Sequence, residues 1–313
     1  MKIVYLDSLA IGDDVDLSIF EQFGEFLTYE TSTKEEAVQR VKDADVVLTN
    51  KVLINEETIG GATNLKLVCV TATGTDNVDK DYLDSRNIGW RNVAGYSNNS
   101  VAQITFSLLL YLITQTRFYD DYVQTGAYIQ SPIFTNLDRK FFELAGKTWG
   151  IIGYGAIGRK VAEIAKAFGC NVVFYDTSTF DTTHLLGSKQ VSLNTLLESS
   201  DIVTIHAPLT EVTRDMINRE TLAKMKSTAY LVNVARGPII NEADLTEALN
   251  NNIIAGAALD VLSVEPMRPD NPLLNVKDTS KLVIVPHIAW GSVEARTELI
   301  RLVAENIRKY FNS

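Results

Sequence analysis

The sequence predicts an α/β protein with two doubly wound domains, each built on a mainly parallel sheet. Three observations carry this. The chain has 313 residues, too many for one small core and suited to two domains. Short apolar runs alternate with segments whose apolar residues recur at helical spacing, the pattern of parallel strands joined by crossover helices. That alternation lapses after residue 92 and resumes at 147, which separates two series.

In the first series KIVYL, EFLTYE, DVVLTN and LKLVCV read as strands, with helices such as KEEAVQRVKDA between them. The turn after the fourth strand, TATGTDN, is rich in small and polar residues. NVAGYSNNS reads as a loop, with Ser100 placed to cap the long apolar helix VAQITFSLLLYLITQ at 101–115. An irregular stretch, GAYIQSPIFTNLDRK, follows. The second series runs KTWGIIG, NVVFYD, DIVTIH, AYLVNVA, IIAGAALDV and KLVIVPH, with helices between. The chain closes on SVEARTELIRLVAENIRKYFN, an amphipathic helix. No internal repeat or low-complexity tract is present.

Composition narrows the function. A hydrophobic content of 46% with 22% charged residues is ordinary for a soluble enzyme. A formal net charge of −10 argues against nucleic acid or an anionic membrane as partner, because phosphate binding needs clustered Lys and Arg. The stretch 101–115 falls short of the roughly 20 residues that span a bilayer, and it carries Gln103, Thr105 and Ser107. Asp7 interrupts the N-terminal apolar run too early for a signal peptide. Cys69 and Cys170 sit in or beside apolar runs and read as buried thiols, which with the preceding points suggests a cytoplasmic protein. The three histidines and two cysteines are scattered without ligand spacing, so no metal site is expected.

GYGAIG at 153–158 fits the G-x-G-x-x-G pattern of a Rossmann dinucleotide site, and its context agrees. It follows the strand WGII and opens the helix AIGRKVAEIAKAFG. Gly153 permits the tight turn, Gly155 lets a pyrophosphate approach, and Gly158 lets helix and strand pack closely. Ala156 and Ile157 begin the helix, whose unpaired N–H groups and dipole favour phosphate. Asp176 ends NVVFYD, 18 residues beyond Gly158, where a carboxylate accepts hydrogen bonds from the adenosine ribose. It would repel a 2′-phosphate, and TSTF after it holds no compensating arginine, so the expected cofactor is NAD rather than NADP.

Further ionisable residues gather where ligands bind in such sheets, outside the carboxyl ends of the strands. Arg236 ends LVNVAR, Asp260 ends GAALD, Glu265 lies in SVEP, and His287 lies in VPHIAW. Arginine is seldom buried without a partner, so its place at the end of an apolar run asks for an anion. His206 ends DIVTIH, beside the cofactor or in a structural role; His184, in TTHLLG, reads as a solvated loop residue.

Taken in order, GYGAIG, HAPLT, LVNVARG, GAALDV, VEP and PHIAW resemble the D-isomer-specific 2-hydroxyacid dehydrogenases over almost the whole chain. The resemblance implies a Rossmann NAD-binding domain at 99–287 and a smaller flavodoxin-like substrate domain formed by 1–98 and 288–313, with hinges near 98–100 and 287–292. It implies Arg236, Glu265 and His287 as the catalytic set. Glu265 separates the chain from formate dehydrogenases, which carry glutamine there. The cofactor set would include His206, Ala207, Pro208, Thr213, Val234, Ala235, Arg236, Asp260 and His287 beside the glycine-rich turn. Thr73 and Gly74 would bind the substrate carboxylate together with Arg236 and His287, and Trp290 would line the pocket or pack in the hinge. The chemistry suits a 2-oxo acid. Arginine offers a permanent charge and a planar fork of donors. Histidine passes a proton while NADH passes hydride, with the glutamate supporting its charged form.

Within the family, TNKV, TATGTDNVD, GYSNNSVAQ and PHIAWGSVEAR look most like glycerate dehydrogenases, also called hydroxypyruvate reductases. The expected substrate is hydroxypyruvate or glyoxylate. D-lactate or aromatic 2-oxo acid reductases stand as the alternative, and the NAD-sensing C-terminal binding protein corepressors as a non-catalytic one. A homodimer is implied, with the helix 101–115 and the loop after it as the contact.

Overall fold

Every named strand pairs in parallel with its neighbours. The computed structural model describes residues 1–176, 185 and 187–312; His184 lies outside them. The chain divides into two units, Met1–Ser97 with Trp290–Ser313, and Asn98–Ala289.

The first unit holds β1 (Lys2–Tyr5), β2 (Glu25–Thr28), β3 (Val46–Thr49), β4 (Leu67–Val70) and β5 (Gly89–Arg91), in the order β2-β1-β3-β4-β5. This is the flavodoxin-like order. Successive strand residues point to opposite faces, which sorts the core. Ile3, Tyr5, Leu48, Leu67 and Cys69 face one way, and Val4, Val47, Val68 and Val70 the other. Helices α1 (Lys34–Arg40), α2 (Glu56–Ile59) and α3 (Lys80–Ser85) cover the second set through Ala37, Ile59 and Leu83. Thr33 and Glu36 start α1 with a reciprocal capping box. The C-terminal helix, Val293–Asn312, covers the first set with Leu299, Ile300, Val303, Ala304 and Ile307, an i, i+3, i+4 stripe. The strand β5 gives no signal in the sequence because its three residues, Gly-Trp-Arg, carry no apolar run.

The second unit opens with α4 (Asn98–Ile113) and α5 (Thr116–Gln124). Its sheet comprises β6 (Thr148–Ile152), β7 (Asn171–Tyr175), β8 (Lys189–Gln190), β9 (Ile202–Ile205), β10 (Tyr230–Asn233), β11 (Gly256–Leu259) and β12 (Leu282–Ile284). Helices α6 (Ala156–Ala167), α7 (Leu193–Ser199), α8 (Arg219–Leu222) and α9 (Glu242–Asn250) connect them. The order is β12-β11-β10-β9-β6-β7-β8. The first strand therefore lies mid-sheet, the chain winding outward first on one side and then on the other. The crevice at the carboxyl ends of β6 and β9 is the switch point where such sheets bind ligands. One face packs Trp149, Ile151, Phe174 and Val232 beneath α4 and α6; the other packs Ile152, Val203, Leu231 and Leu259 beneath α7 to α9.

One expectation changes here. Ser100 does not precede the long helix but lies inside its first turn, because α4 begins at Asn98. Its hydroxyl donates instead to the Ala289 carbonyl at 2.6 Å, tying together the two ends of the unit. The apolar helix turns most of its apolar side chains inward. Val101, Ala102, Phe106, Leu109 and Leu112 are buried in its own unit, and its exposed stripe is Gln103, Ser107 and Tyr111. The apolar surface lies beyond it, where Ile129, Phe134 and Leu137 are 82%, 89% and 73% exposed.

The C-terminal stripe sets a stability prediction. Ile307→Ala leaves a cavity under a fully buried side chain and should cost about 2–5 kcal/mol in urea unfolding. Lys309→Ala, which breaks an exposed pair with Glu305, should stay within about 1 kcal/mol of wild type.

Candidate active site

The second unit places its candidate residues at the carboxyl ends of six strands: Gly153 after β6, Asp176 after β7, His206 after β9, Arg236 after β10, Asp260 after β11 and His287 after β12. Parallel strands make this unavoidable, since all their chain exits lie along one sheet edge.

At the first exit, Gly153 has φ +91, which L side chains rarely adopt. A Cβ on Gly158 would fall 2.2 Å from the Gly153 carbonyl oxygen, so the first turn of α6 can close on the loop only with glycine there. Gly155 differs: a Cβ there would meet no atom within 4 Å, and no side chain caps the helix. Open space over an uncapped helix N-terminus fits a pyrophosphate. Asp176 lies alongside, one carboxylate oxygen accepting the Tyr154 N–H at 2.6 Å. The Tyr154 ring is buried, stacks on Phe174 with centroids 4.0 Å apart, and donates from its hydroxyl to Ser188 Oγ at 2.9 Å.

The HAPLT segment is largely self-supporting. Thr213 is buried, donates to the Pro208 carbonyl at 2.7 Å and accepts the Thr210 N–H at 2.7 Å, so its hydroxyl holds the loop. Ala207 is buried against Gly153. The His206 ring turns toward the core: Nε2 lies 3.0 Å from Thr204 Oγ1, which accepts the Trp149 indole N–H at 3.0 Å. His206 as a residue is half-buried, yet its Nδ1 is sealed from solvent and has no hydrogen-bond partner among the described residues. Burial pushes the imidazole down to about 3, so the ring stays neutral near pH 7.

At β10 the chain turns off before reaching Arg236. Asn233, fully buried, accepts the Ala235 N–H at 3.0 Å and donates to the Arg236 carbonyl at 2.9 Å. This one side chain bends residues 234–236 out of the sheet, with Val234 buried and Ala235 and Arg236 half-buried. Asn233 is a loop-shaping residue that sequence reasoning missed; a polar residue inside the apolar LVNV was the signal. Arg236 donates to the Ala235 carbonyl at 2.8 Å. Gly237 follows because a Cβ there would fall 1.9 Å from the Leu262 carbonyl carbon. The Arg236 loop thus rests directly on the loop that carries Glu265.

Asp260 is 2% exposed, and its carboxylate accepts the N–H groups of Ile288 at 2.7 Å and Ala289 at 3.0 Å. Its carbonyl accepts the His287 N–H at 2.8 Å. Burial pushes its carboxyl up to about 6, opposed by the nearby His287 charge and by these N–H groups. His287 itself takes φ +54, an uncommon conformation for a side chain of this size. Its Nδ1 lies 2.7 Å from Glu265 Oε2, and Glu265 Oε1 accepts the Leu262 N–H at 2.9 Å. A carboxylate only accepts, so Nδ1 carries the proton in this pair and Nε2 lies on the other side of the ring.

The first unit has its own set at the ends of β1, β3 and β4. The Thr73 hydroxyl donates to the Val93 carbonyl at 2.9 Å; Thr73 is exposed and Gly74 half-buried. Beneath the turn, Asn50 donates to the Thr71 carbonyl at 2.8 Å and Tyr5 donates to the Thr71 hydroxyl at 3.0 Å. Asp7 accepts three successive N–H groups, from Asn50, Lys51 and Val52. Trp290 is half-buried in this unit, edge-on to Tyr96 at 6.5 Å and packed with the core under the C-terminal helix. A cleft of about 290 Å³ in the second unit lies away from all these residues, lined by Tyr111, Arg117, Arg139 and the start of β12. No group able to hold a metal exists among the described residues, and no described helix is long and apolar enough to cross a membrane.

Residues 106–289 match the family description D-isomer specific 2-hydroxyacid dehydrogenase, NAD binding domain. The chain belongs to that family. As a D-2-hydroxyacid dehydrogenase it is an NAD-dependent oxidoreductase. A putative 2-hydroxyacid dehydrogenase of Haemophilus influenzae is 39% identical over 99% of this chain and 98% of its own length. A hydroxypyruvate reductase of Blautia hydrogenotrophica is 36% identical over 99% and 97%. Among solved structures, an acyclic imino acid reductase in complex with NADPH and D-Arg superposes with TM-score 0.87 at 30% identity, covering 100% of this chain and 97% of that one. The D-lactate dehydrogenase of Aquifex aeolicus, complexed with NAD and lactic acid, gives 0.86 at 25% identity, covering 100% and 96%.

His206 generates a pH prediction for this dehydrogenase. Its ring titrates near 6.5 when unfolded and near 3 when folded, so between those values the unfolded chain binds the extra proton. The contribution of neutral His206 is complete above about pH 6.5 and is lost as pH falls toward 3. Urea unfolding of His206→Gln should show an acid limb flatter than wild type by up to about 1.4 kcal/mol per pH unit. Parallel limbs would show that the ring is not sealed.

Proposed function

We propose that this dehydrogenase reduces hydroxypyruvate or glyoxylate to D-glycerate or glycolate, with Arg236, Glu265 and His287 as its catalytic residues. The observation that carries the reading is the 2.7 Å pair of His287 Nδ1 with Glu265, at the strand edge that also presents Arg236. When bound, NADH supplies the hydride. His287 gives its Nε2 proton to the alkoxide that forms as the oxo carbon is reduced, and Glu265 supports the ring through Nδ1. In oxidation the same nitrogen takes the proton back. Arg236 grips the carboxylate and polarises the oxo group with its planar fork. Asp260 serves by placing His287.

The second unit is the cofactor domain in this reading, holding the pyrophosphate on Gly155 and the first N–H groups of α6, and the ribose on Asp176. The first unit is the substrate domain, with Thr73 and Gly74 meeting the carboxylate. NADH is favoured over NADPH because the Asp176 carboxylate would repel a 2′-phosphate. Packing of Trp290 on Tyr96 favours a structural role for that residue over pocket lining. The hydroxypyruvate reductase likeness supports the substrate assignment; the D-lactate dehydrogenase likeness keeps pyruvate as the alternative. A homodimer is proposed through the apolar surface at 129–141 rather than through α4. The protein is placed in the cytoplasm, where Cys69 and Cys170 stay buried thiols.

Initial rates of NADH oxidation should be highest in kcat/KM for hydroxypyruvate or glyoxylate when compared with pyruvate and phenylpyruvate; a win by pyruvate would keep the mechanism and overturn the substrate. Arg236→Gln should lower kcat/KM by about two orders of magnitude or more, the cost of a lost charged contact in the transition state. NADPH should be the poorer cofactor for wild type, and Asp176→Ala should narrow the gap. Light scattering should give twice the chain mass, and Phe134→Asp should shift it toward the monomer.

A further inference from the structure

The loop that carries Glu265 has no strand partner. Residues 263–266 and 268–270 are exposed, yet the reading of Glu265 as support for His287 requires its carboxylate to stay within hydrogen-bond reach. The loop needs an anchor outside the catalytic set. One carboxylate meets that need. Glu242, the first residue of α9, accepts the Ser263 N–H on Oε1 at 2.6 Å and the Asn271 Nδ2–H on Oε2 at 2.9 Å. Both ends of the 263–271 segment are thereby fastened to one side chain on a helix. Asn271 is buried, and its Oδ1 accepts the Leu273 N–H at 2.9 Å, which fixes which of its atoms faces Glu242. The helix N-terminus favours the anion.

We propose that Glu242 is a positioning residue for the reaction, holding the 263–271 loop so that Glu265 keeps its grip on His287. The inference rests on the Glu265–His287 reading. Glu242 acts on the chemical step and not on cofactor binding, because its partners lie on the loop and not at the glycine-rich turn.

The polarity of the contact supplies the test. In Glu242→Gln the amide oxygen can still accept from Ser263, but its NH₂ then faces the Asn271 NH₂, donor against donor. In Asn271→Asp two carboxylates meet. In the double variant, Glu242→Gln with Asn271→Asp, the new amide donates to the new carboxylate. The other oxygen of that carboxylate still caps Leu273, and both bonds return. Each single variant should lower kcat about tenfold, as misplacement of a catalytic group does, with KM for the oxo acid and the Kd of NADH by fluorescence titration within about twofold. The double variant should recover kcat to within about threefold of wild type. Single variants with wild-type kcat, a loss that falls on KM or on NADH binding, or a double variant no better than the singles would each overturn the proposal. Glu265→Gln, run alongside, separates the two levels. If it lowers kcat while Glu242→Gln does not, the anchor alone is wrong. If it leaves kcat unchanged, the pairing with His287 is wrong and the anchor falls with it.

Discussion

A buried carboxylate at the end of β11 organises the carboxyl edge of the second sheet around His287. Asp260 has left water almost completely, and an anion so placed is tolerable only when hydrogen bonds replace its hydration. The backbone supplies them: the N–H groups of Ile288 and Ala289 converge on the carboxylate, and the N–H of His287 on the carbonyl. These bonds turn the chain sharply as it leaves β12 and hold His287 in a left-handed conformation that a free chain would abandon. The ring is then aimed by its own backbone, and Glu265 has only to meet it.

Separate loops are held by different devices, each with a side chain bonded to backbone. Asn233 bends the chain after β10, Thr213 closes the loop after β9, and Glu242 fastens the loop after β11. In the first unit Asp7 does the same for the loop after β3. The parallel sheets supply the rigid edge, and polar side chains from beside or beneath it turn each exit in its own direction. This division of labour explains why the groups assigned to chemistry are few while the polar residues spent on loop geometry are many. Loop residues carry function only when a scaffold positions them.

Local chemistry was the legible part. The glycine-rich turn, its strand, its helix and Asp176 lie within one stretch of chain, and Gly153 and Gly158 each have a steric reason that is local to that stretch. The strand runs were legible because burial on both faces demands continuous apolar residues. What escaped were features whose partners lie far along the chain. Ser100 looks like a helix cap because Ser before an apolar run usually is one; its actual partner, Ala289, is 189 residues away. Glu242 looks like an ordinary first-turn acid, since Ser263 and Asn271 come much later. The strands β5 and β8 are short edge strands without apolar runs and give no periodic signal.

The sequence by itself determined the fold class, the family, the dinucleotide turn and the identity of the candidate catalytic residues, because those depend on residue type, local spacing and order along the chain. Tertiary structure decided which way each of them faces. It turned His206 inward to Thr204, made Asp260 a clamp on the backbone, set Trp290 against Tyr96, and buried α4 while leaving the segment after it exposed. The physical reason is common to all four. A side chain's orientation is set by competition among partners that only the packed chain brings within a few ångströms, and no spacing in the sequence encodes the outcome.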